Sequence, residues 1–319
     1  MQLTCLGWNS FFEQAWAQSA NGLPPARVVT ETRGFYQAWA ADGIHSLQLA
    51  GSLKENRPVT GDWVAFDPQA ARIEVLLPRR TKVSRKKAGR AFEEQVLAAN
   101  VDVLLLVNGL DQDFSVRRLE RYLLLAHESG ARPVIVLNKS DLCANVEERV
   151  RLVRAVALEA PIVVMSAREA TSVAQLHAYV HAGETAVVLG SSGVGKSTIT
   201  NQLLGCARQA TGQVRAHDHR GQHTTRTRQM FLLEQGWLLI DTPGIRELEP
   251  WASTESATYV FRDIYEAAAN CRFRDCRHQS EPGCAVREAV SCDRLAAFHK
   301  LMEELAELER RMGKLGRRS

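Results

Sequence analysis

The sequence predicts an α/β protein in three parts. An N-terminal OB-fold β-barrel comes first, a doubly wound parallel-sheet domain second, and a C-terminal helical metal-binding part last. Three observations carry this. Short β-type runs separated by turn residues fill residues 26–77. From residue 101, apolar strands alternate strictly with amphipathic helices, the pattern of a parallel sheet covered on both faces. Four of the seven cysteines, Cys271, Cys276, Cys284 and Cys292, crowd together near the C-terminus. In a reducing compartment such clustering means metal more often than disulfide.

With 319 residues there is room for two or three domains, each with its own core. A hydrophobic content of 45% and a charged content of 24% are those of an ordinary globular chain. No apolar run approaches the ~20 residues of a membrane span. The opening MQLTCLGWNSFFEQAW lacks a basic stretch followed by an apolar one, so no secretory signal is expected and a cytoplasmic location is. A net charge of +4 says little by itself. Its distribution says more: basic residues concentrate at 79–90, 215–228, 272–278 and the tail MGKLGRRS, as in chains that track phosphates.

Residues 1–25 end in the breaker NGLPP and read as a loose N-terminal segment. The runs ARVVTET, GFYQAWA, GIHSLQLAG, GDWVAF and ARIEVLLP follow, separated by turn chemistry. Five short strands in this space suggest an OB-fold over residues 26–80, with a small sandwich or SH3-like barrel as the alternative. Phe35, Tyr36, Trp39, Trp63 and Phe66 are candidates to stack on bases or to fill the barrel core. Residues 78–95 read as a basic linker. Next come VDVLLLVNG (strand), SVRRLERYLLLAHESG (helix, closed by Gly130), RPVIVLNKSD, VEERVRLVRAVALE, APIVVMSAR and SVAQLHAYV, which place a parallel-sheet domain at 81–247. In such sheets ligands lie beyond the carboxyl ends of the strands. Residues 248–319 carry the cysteine cluster and a long amphipathic helix, DRLAAFHKLMEELAELERRM.

The chain is organised around GSSGVGKST, comprising Gly190, Ser191, Ser192, Gly193, Val194, Gly195, Lys196, Ser197 and Thr198. It fits G-x-x-x-x-G-K-[ST] and sits between the strand ETAVVL and the helix STITNQLLG. Glycines let successive backbone N–H groups turn inward around phosphate oxygens, and the helix adds its positive dipole end. Lys196 is placed to reach the β- and γ-phosphates, and the Ser197 hydroxyl to reach Mg²⁺.

NKSD, comprising Asn138, Lys139, Ser140 and Asp141, follows the strand PVIVL. The Asp141 carboxylate can accept hydrogen bonds from guanine N1–H and its exocyclic amine. Adenine offers no such pair, leaving the acid unpaired at a cost of roughly 1–3 kcal/mol or more. In SAR the segment Ser166 and Ala167 ends the next strand, and the Ala167 N–H is placed for guanine O6. In DTPG, Asp241 can hold Mg²⁺ through water and the Gly244 N–H can sense a γ-phosphate. Between these lies GQHTTR, whose Thr225, in preference to Thr224, is the candidate second hydroxyl on Mg²⁺.

Cys271, Cys276, His278 and Cys284 have the spacing C-x4-C-x-H-x5-C. Three thiolates and an imidazole make a closed, structural Zn²⁺ set. Cys292 is the rival fourth ligand if His278 is not used. Arg272, Arg274 and Arg277 make this knuckle basic.

The nucleotide motifs resemble the five signatures of translation-factor-like GTPases in a permuted order, with NKSD and SAR ahead of GSSGVGKS, GQHTTR and DTPG. With the barrel before them and the C-x4-C-x-H-x5-C knuckle after, the chain closely resembles the ribosome small-subunit-dependent GTPase A family (RsgA/YjeQ) from about residue 26 to residue 312. The resemblance implies a circularly permuted GTPase that hydrolyses GTP to GDP, stimulated by the small (30S) ribosomal subunit. It also implies binding to 16S rRNA, a role in late 30S maturation, and action as a monomer away from membranes. Ile245 stands where many GTPases orient water with a glutamine, so His223 in GQHTTR is the candidate catalytic residue. Gly193 stands where potassium-activated GTPases have asparagine, so no potassium requirement is expected. The chain also has almost no basic tail ahead of the barrel to add to rRNA affinity.

Overall fold

The protein is described here as a computed structural model covering residues 1–32, 34–86, 94–210, 228–241 and 254–315, the side chains of 86, 206–210 and 312–315 excepted. The five β-type runs form β1 (Pro25–Thr32), β2 (Phe35–Ala40), β3 (Gly43–Leu49), β4 (Trp63–Asp67) and β5 (Arg72–Leu76). Strand β1 pairs antiparallel with both β2 and β4, and β3 runs parallel to β5. The order β1-β2-β3-β5-β4 therefore returns to β1 as a closed, OB-like barrel. A two-sheet sandwich would lack that closing β1–β4 ladder. Irregular register at residues 28–30 of β1 bends the strand round the corner, as bulges do. Tyr36 and Phe66 fill the barrel with Val28, Leu47, Val64 and Ile73, and Trp63 is buried on the neighbouring core. Trp39 is half-buried, while Phe35 is 50% exposed.

Residues 1–25 are more ordered than their composition suggests. A 3-10 turn at Leu3–Leu6 precedes α1 (Ser10–Ser19), whose N-cap Asn9 accepts from the Phe11 N–H at 3.0 Å. Leu6 and Phe12 are buried, and Trp8 meets Trp63 edge-on at 4.7 Å. Aromatic burial of this kind outweighs the entropy of ordering two short turns. Arg27 of β1 is buried and, among the described residues, pairs with no carboxylate; its N–H groups make four hydrogen bonds instead. It donates to Leu6 O, Gly61 O (3.3 Å), Asn100 O (3.0 Å) and Thr185 Oγ1 (2.8 Å), tying N-terminal segment, barrel and parallel sheet together. Burial, with Arg80 nearby, lowers its pKa to about 9.

The stretch expected as a basic linker contains an antiparallel pair, β6 (Lys82–Lys86) and β7 (Glu94–Ala99). Three of its cations are engaged at home. Arg79 pairs with buried Asp62 through two bonds of 2.8 Å, Arg80 with Asp102, and Lys82 with Glu94. This part of the charge holds the chain together.

The parallel-sheet part contains β8 (Val103–Gly109), α2 (Val116–Ser129), β9 (Arg132–Asn138), α3 (Val146–Arg154), β10 (Ile162–Val164), α4 (Ala170–Ala174), β11 (Thr185–Gly190), α5 (Lys196–Ala210), β12 (Gln229–Leu232) and β13 (Leu238–Asp241). Strands β10-β9-β8-β11-β13 are parallel in that order. Strand β12, which the sequence did not announce, runs antiparallel to β13 and meets β1 at Thr30–Gln229, joining barrel and sheet. Alternate residues of β8 enter different cores. Leu104 and Leu106 pack with α2, while Val103, Leu105 and Val107 pack with Val173, Ile199 and Leu203 of α4 and α5. At about 1.5–3 kcal/mol per buried aliphatic side chain, this double covering makes β8 the keel of the sheet. Gly130 closes α2 at φ 76, as its position predicts.

The C-terminal part comprises α6 (Ala257–Val260), α7 (Arg262–Ala268), α8 (Ala285–Ala289) and α9 (Cys292–Leu315). Helices α6 and α7 part at Phe261 (φ −109, ψ 35), whose buried ring packs edge-on against Phe298 of α9. Arg294 of α9 fastens this part to α2. It pairs with Glu120, which is 3% exposed, and with Asp263 at 2.7 Å, and donates to Val260 O at 2.8 Å. Among the described residues no helix is long and apolar enough to cross a membrane.

Candidate nucleotide site and metal centre

The phosphate-type loop sits where an α/β sheet offers it, between the carboxyl end of β11 and the first turn of α5. At Gly190 a Cβ would lie 2.6 Å from Val107 O, so only glycine lets β11 pass β8 here. Gly193 (φ 77) and Gly195 (φ 105) take the left-handed conformations that turn the amides inward. Ser192, Gly193, Ser197 and Thr198 face solvent, whereas Val194 is buried beneath the loop as its anchor. The Lys196 ammonium lies over the loop, donating to Gly190 O at 2.7 Å and Ser191 O at 2.5 Å.

Asn138, the last residue of β9, brings the separated motifs together. Its amide is 1% exposed. Nδ2 donates to Val194 O at 2.7 Å, and Oδ1 accepts from the Ala167 N–H at 2.8 Å. One buried side chain thus bridges NKSD, GSSGVGKS and SAR, although 56 residues separate it from Val194. The approach is close enough that a Cβ on Gly195 would lie 2.2 Å from Asn138 Nδ2. The Ala167 N–H, assigned from sequence to a base oxygen, here orients Asn138.

Lys139 follows in the left-handed region (φ 67), and Ser140 and Asp141 open a 3-10 turn. Asp141 Oδ1 accepts from Ser166 Oγ at 2.8 Å, and Oδ2 faces Arg168 at 3.3 Å. Asp141 and the SAR turn are therefore one unit. Asp241 ends β13 beside β11, and burial pushes its carboxyl above the ordinary range. Gly244, His223, Thr224 and Thr225 lie outside the described residues. Two acids that the sequence reading passed over also belong to this cluster: Asp111 accepts from Lys139 Nζ at 2.6 Å, and Asp113 accepts from Ser191 Oγ. Their only sequence signal is position, directly after an apolar strand.

At the C-terminal knuckle, Cys271, Cys276, His278 and Cys284 bring one ligand atom each to within 4.8 Å of one another. Cys292, at the start of α9, is exposed and outside this group. His278 Nδ1 faces Cys271 Sγ at 3.7 Å and Cys284 Sγ at 3.5 Å. It does so from φ 61, a conformation a non-glycine residue holds when its surroundings demand it. Burial keeps its imidazole below the ordinary pKa and so neutral, with a lone pair to offer. The N–H groups of Val286 and Ala285 hold the Cys271 thiol low, favouring thiolate. The loop is braced by Glu281, which accepts from the N–H groups of Arg277, Gln279 and Ser280 at 2.8–3.0 Å and whose pKa falls to about 2. Four converging soft and borderline donors fit a tetrahedral metal ion.

Known proteins resemble this chain. The family model described as RsgA GTPase matches residues 76–251. The chain belongs to that family. Proteins named "Small ribosomal subunit biogenesis GTPase RsgA" resemble it along most of their length. The one from Syntrophotalea carbinolica is 40% identical over 97% of this chain and 90% of its own. The one from Xylella fastidiosa is 45% identical over 88% and 85%, and that from Opitutus terrae 42% over 98% and 92%. Among solved structures, YjeQ from Thermotoga maritima superposes with a TM-score of 0.66 at 25% identity, covering 89% of this chain and 98% of that one. YloQ, described as a circularly permuted GTPase, shares the fold with a TM-score of 0.61 at 23% identity. In this RsgA-family chain NKSD and SAR precede GSSGVGKS along the sequence.

Proposed function

We propose that this RsgA-family protein binds GTP, hydrolyses it to GDP on the small (30S) ribosomal subunit during late maturation, and leaves the particle once hydrolysis is done. The observation that carries this reading is the Asn138 bridge, which makes one pocket from a base-reading loop and a phosphate loop that lie in reversed order along the chain. Asp141 accepts from the guanine edge, with Lys139, Ser140, Ser166 and Ala167 walling the base. Amides of residues 190–198 hold the phosphates, and Lys196 swings from its loop carbonyls to the β/γ-phosphates. Ser197 and Thr225 would hold Mg²⁺, with Asp241 behind water and Gly244 at the γ-phosphate. When bound there, the ion would supply neutralisation of charge on the phosphoryl oxygens. His223 orients the attacking water, the role that the apolar Ile245 cannot take.

The cluster of Cys271, Cys276, His278 and Cys284 suits Zn²⁺ in a structural role, because all four donors are protein side chains. The basic knuckle and the exposed barrel aromatic Phe35 suit contact with 16S rRNA. The protein works in the cytoplasm as a monomer.

The test is GTP turnover with and without purified 30S particles, with 50S particles as control. Stimulation by 30S alone is expected, lost in His223→Ala while GTP binding persists. Equal turnover with and without 30S would overturn the reading. A GTP-switched RNA-binding protein would instead bind 30S in a nucleotide-dependent way and show no stimulated turnover.

A further inference from the structure

Residues 109–115, between β8 and α2, touch both halves of the pocket and belong to none of the recognised motifs. Their path is fixed at each end. Leu110 N–H donates to Asn138 O at 2.8 Å, and Asn108, 3% exposed, donates to Ser115 O at 2.9 Å and accepts from the Ser115 N–H. At Gly109 a Cβ would lie 2.5 Å from Asp111 Oδ1 and 3.4 Å from Val194 Cγ2, so the turn lies directly against the phosphate loop. Two carboxylates then reach out in different directions. Asp111 takes the Lys139 ammonium at 2.6 Å, and Asp113 takes the Ser191 hydroxyl. Bare acids beside a polyphosphate would repel it. Here each is matched by a cation, Asp111 by Lys139 and Asp113 by Arg118 at 2.8 Å.

We infer that residues 109–115 are a positioning element of the nucleotide site, in which Asp113 holds the phosphate loop through Ser191 and Asp111 holds the base loop through Lys139. The inference rests on the nucleotide reading above. A glycine-rich loop left to itself must be ordered when phosphate arrives, and that ordering is charged against affinity. The Asp113–Ser191 bond removes part of the cost in advance. Lys139 has four methylenes that can cover a purine face only while its head is anchored, which is what Asp111 does. The two acids therefore act on different parts of the ligand: Asp113 on phosphate binding, Asp111 on base binding.

The experiment measures Kd for GDP and for guanosine, which has no phosphate, with wild type, Lys196→Ala, Asp113→Ala, Asp113→Asn, Ser191→Ala, Asp113→Ala/Ser191→Ala and Asp111→Ala, alongside thermal midpoints. Charge-assisted bonds of this kind predict a loss of roughly tenfold in GDP affinity for Asp113→Ala, with guanosine unmoved. Ser191→Ala should match it, the double variant should be no worse than either single, and Asp113→Asn, still able to accept from Ser191, should recover most of the loss. Asp111→Ala should weaken GDP and guanosine alike. If Asp113→Ala binds GDP like wild type, weakens both ligands equally, or adds its loss to that of Ser191→Ala, the inference is wrong. If wild type does not bind GDP, or Lys196→Ala binds it equally well, the nucleotide reading itself has failed.

Discussion

Replacing Asn138 with alanine removes two hydrogen bonds, of 2.7 and 2.8 Å, from a side chain only 1% exposed. It leaves Val194 O and the Ala167 N–H without that partner. At about 1–3 kcal/mol for each buried group left unmade, Asn138→Ala costs roughly 2–6 kcal/mol, against a total stability on the order of 5–15 kcal/mol. Asn138→Asp keeps an oxygen for Ala167 but turns a second oxygen toward the Val194 carbonyl, so it should be no better tolerated. The loss should appear at the pocket as well as in the fold, because the bridge sets the distance between the phosphate and base loops. Urea unfolding followed by tryptophan fluorescence gives the first quantity, and calorimetric titration with GDP at a temperature where the variant stays folded gives the second. The expected result is a lowered midpoint and GDP affinity weaker by at least about 30-fold, which is 2 kcal/mol. A folded Asn138→Ala that binds GDP as tightly as wild type would refute the reasoning, since the bridge would then be ornamental to the site.

Three further outcomes follow from other parts of the structure. Arg294→Ala should leave the Glu120 carboxylate buried and unpaired, at about 3–5 kcal/mol. Limited proteolysis should then cut within residues 254–315 before the rest of the chain, and an unchanged digestion pattern would contradict the pairing in α2 and α9. Cys276→Ser or strong chelation should remove one equivalent of metal, measured by elemental analysis, and melt the knuckle while GDP binding by the parallel-sheet part persists. His177 Nδ1 accepts from Trp237 Nε1 at 3.0 Å, and burial lowers its pKa from 6.5. The unfolded chain therefore takes up the proton first as pH falls. The stability this group contributes is fully present above pH 6.5 and lost as pH drops below it through the folded value. His177→Gln, which can still accept from Trp237, should flatten the urea midpoint between pH 7.5 and 5.5; an equally steep wild-type and variant profile would count against it.

Much of this architecture can be read from the chain because its signals are periodic or local. The turn chemistry around β1 to β5 marks short strands, the unbroken apolar run of β8 marks a strand covered on both faces, and Gly190, Gly193 and Gly195 mark a backbone that must bend inward. What the sequence hides are single polar side chains whose partners are distant. Nothing local shows that Asn138 will bond Val194, or that Arg27, written inside an apolar strand, will collect acceptors from three parts of the molecule. Asp111 and Asp113 look like loop acids until β8 brings them against Lys139 and Ser191. The N-terminal segment looked loose because its order comes from Trp8 and Phe12 packing on Trp63, a tertiary effect without a helical period long enough to show. Strand β12 has only four residues and exists by pairing with β13 and β1. In the basic stretch at 79–90 the sequence shows charges but not the acids, Asp62, Asp102 and Glu94, that fold onto Arg79, Arg80 and Lys82.

The central claim is that two segments in reversed order build one guanine nucleotide pocket, and a crystal structure of the protein with GDP and Mg²⁺ tests it most directly. The account predicts the diphosphate cradled by the amides of residues 190–198 with Lys196 turned toward it, and the guanine edge within hydrogen-bond reach of the Asp141 carboxylate. A GDP molecule whose base points away from Asn138 and Asp141, or whose phosphates lie elsewhere than over the glycine loop, would contradict it.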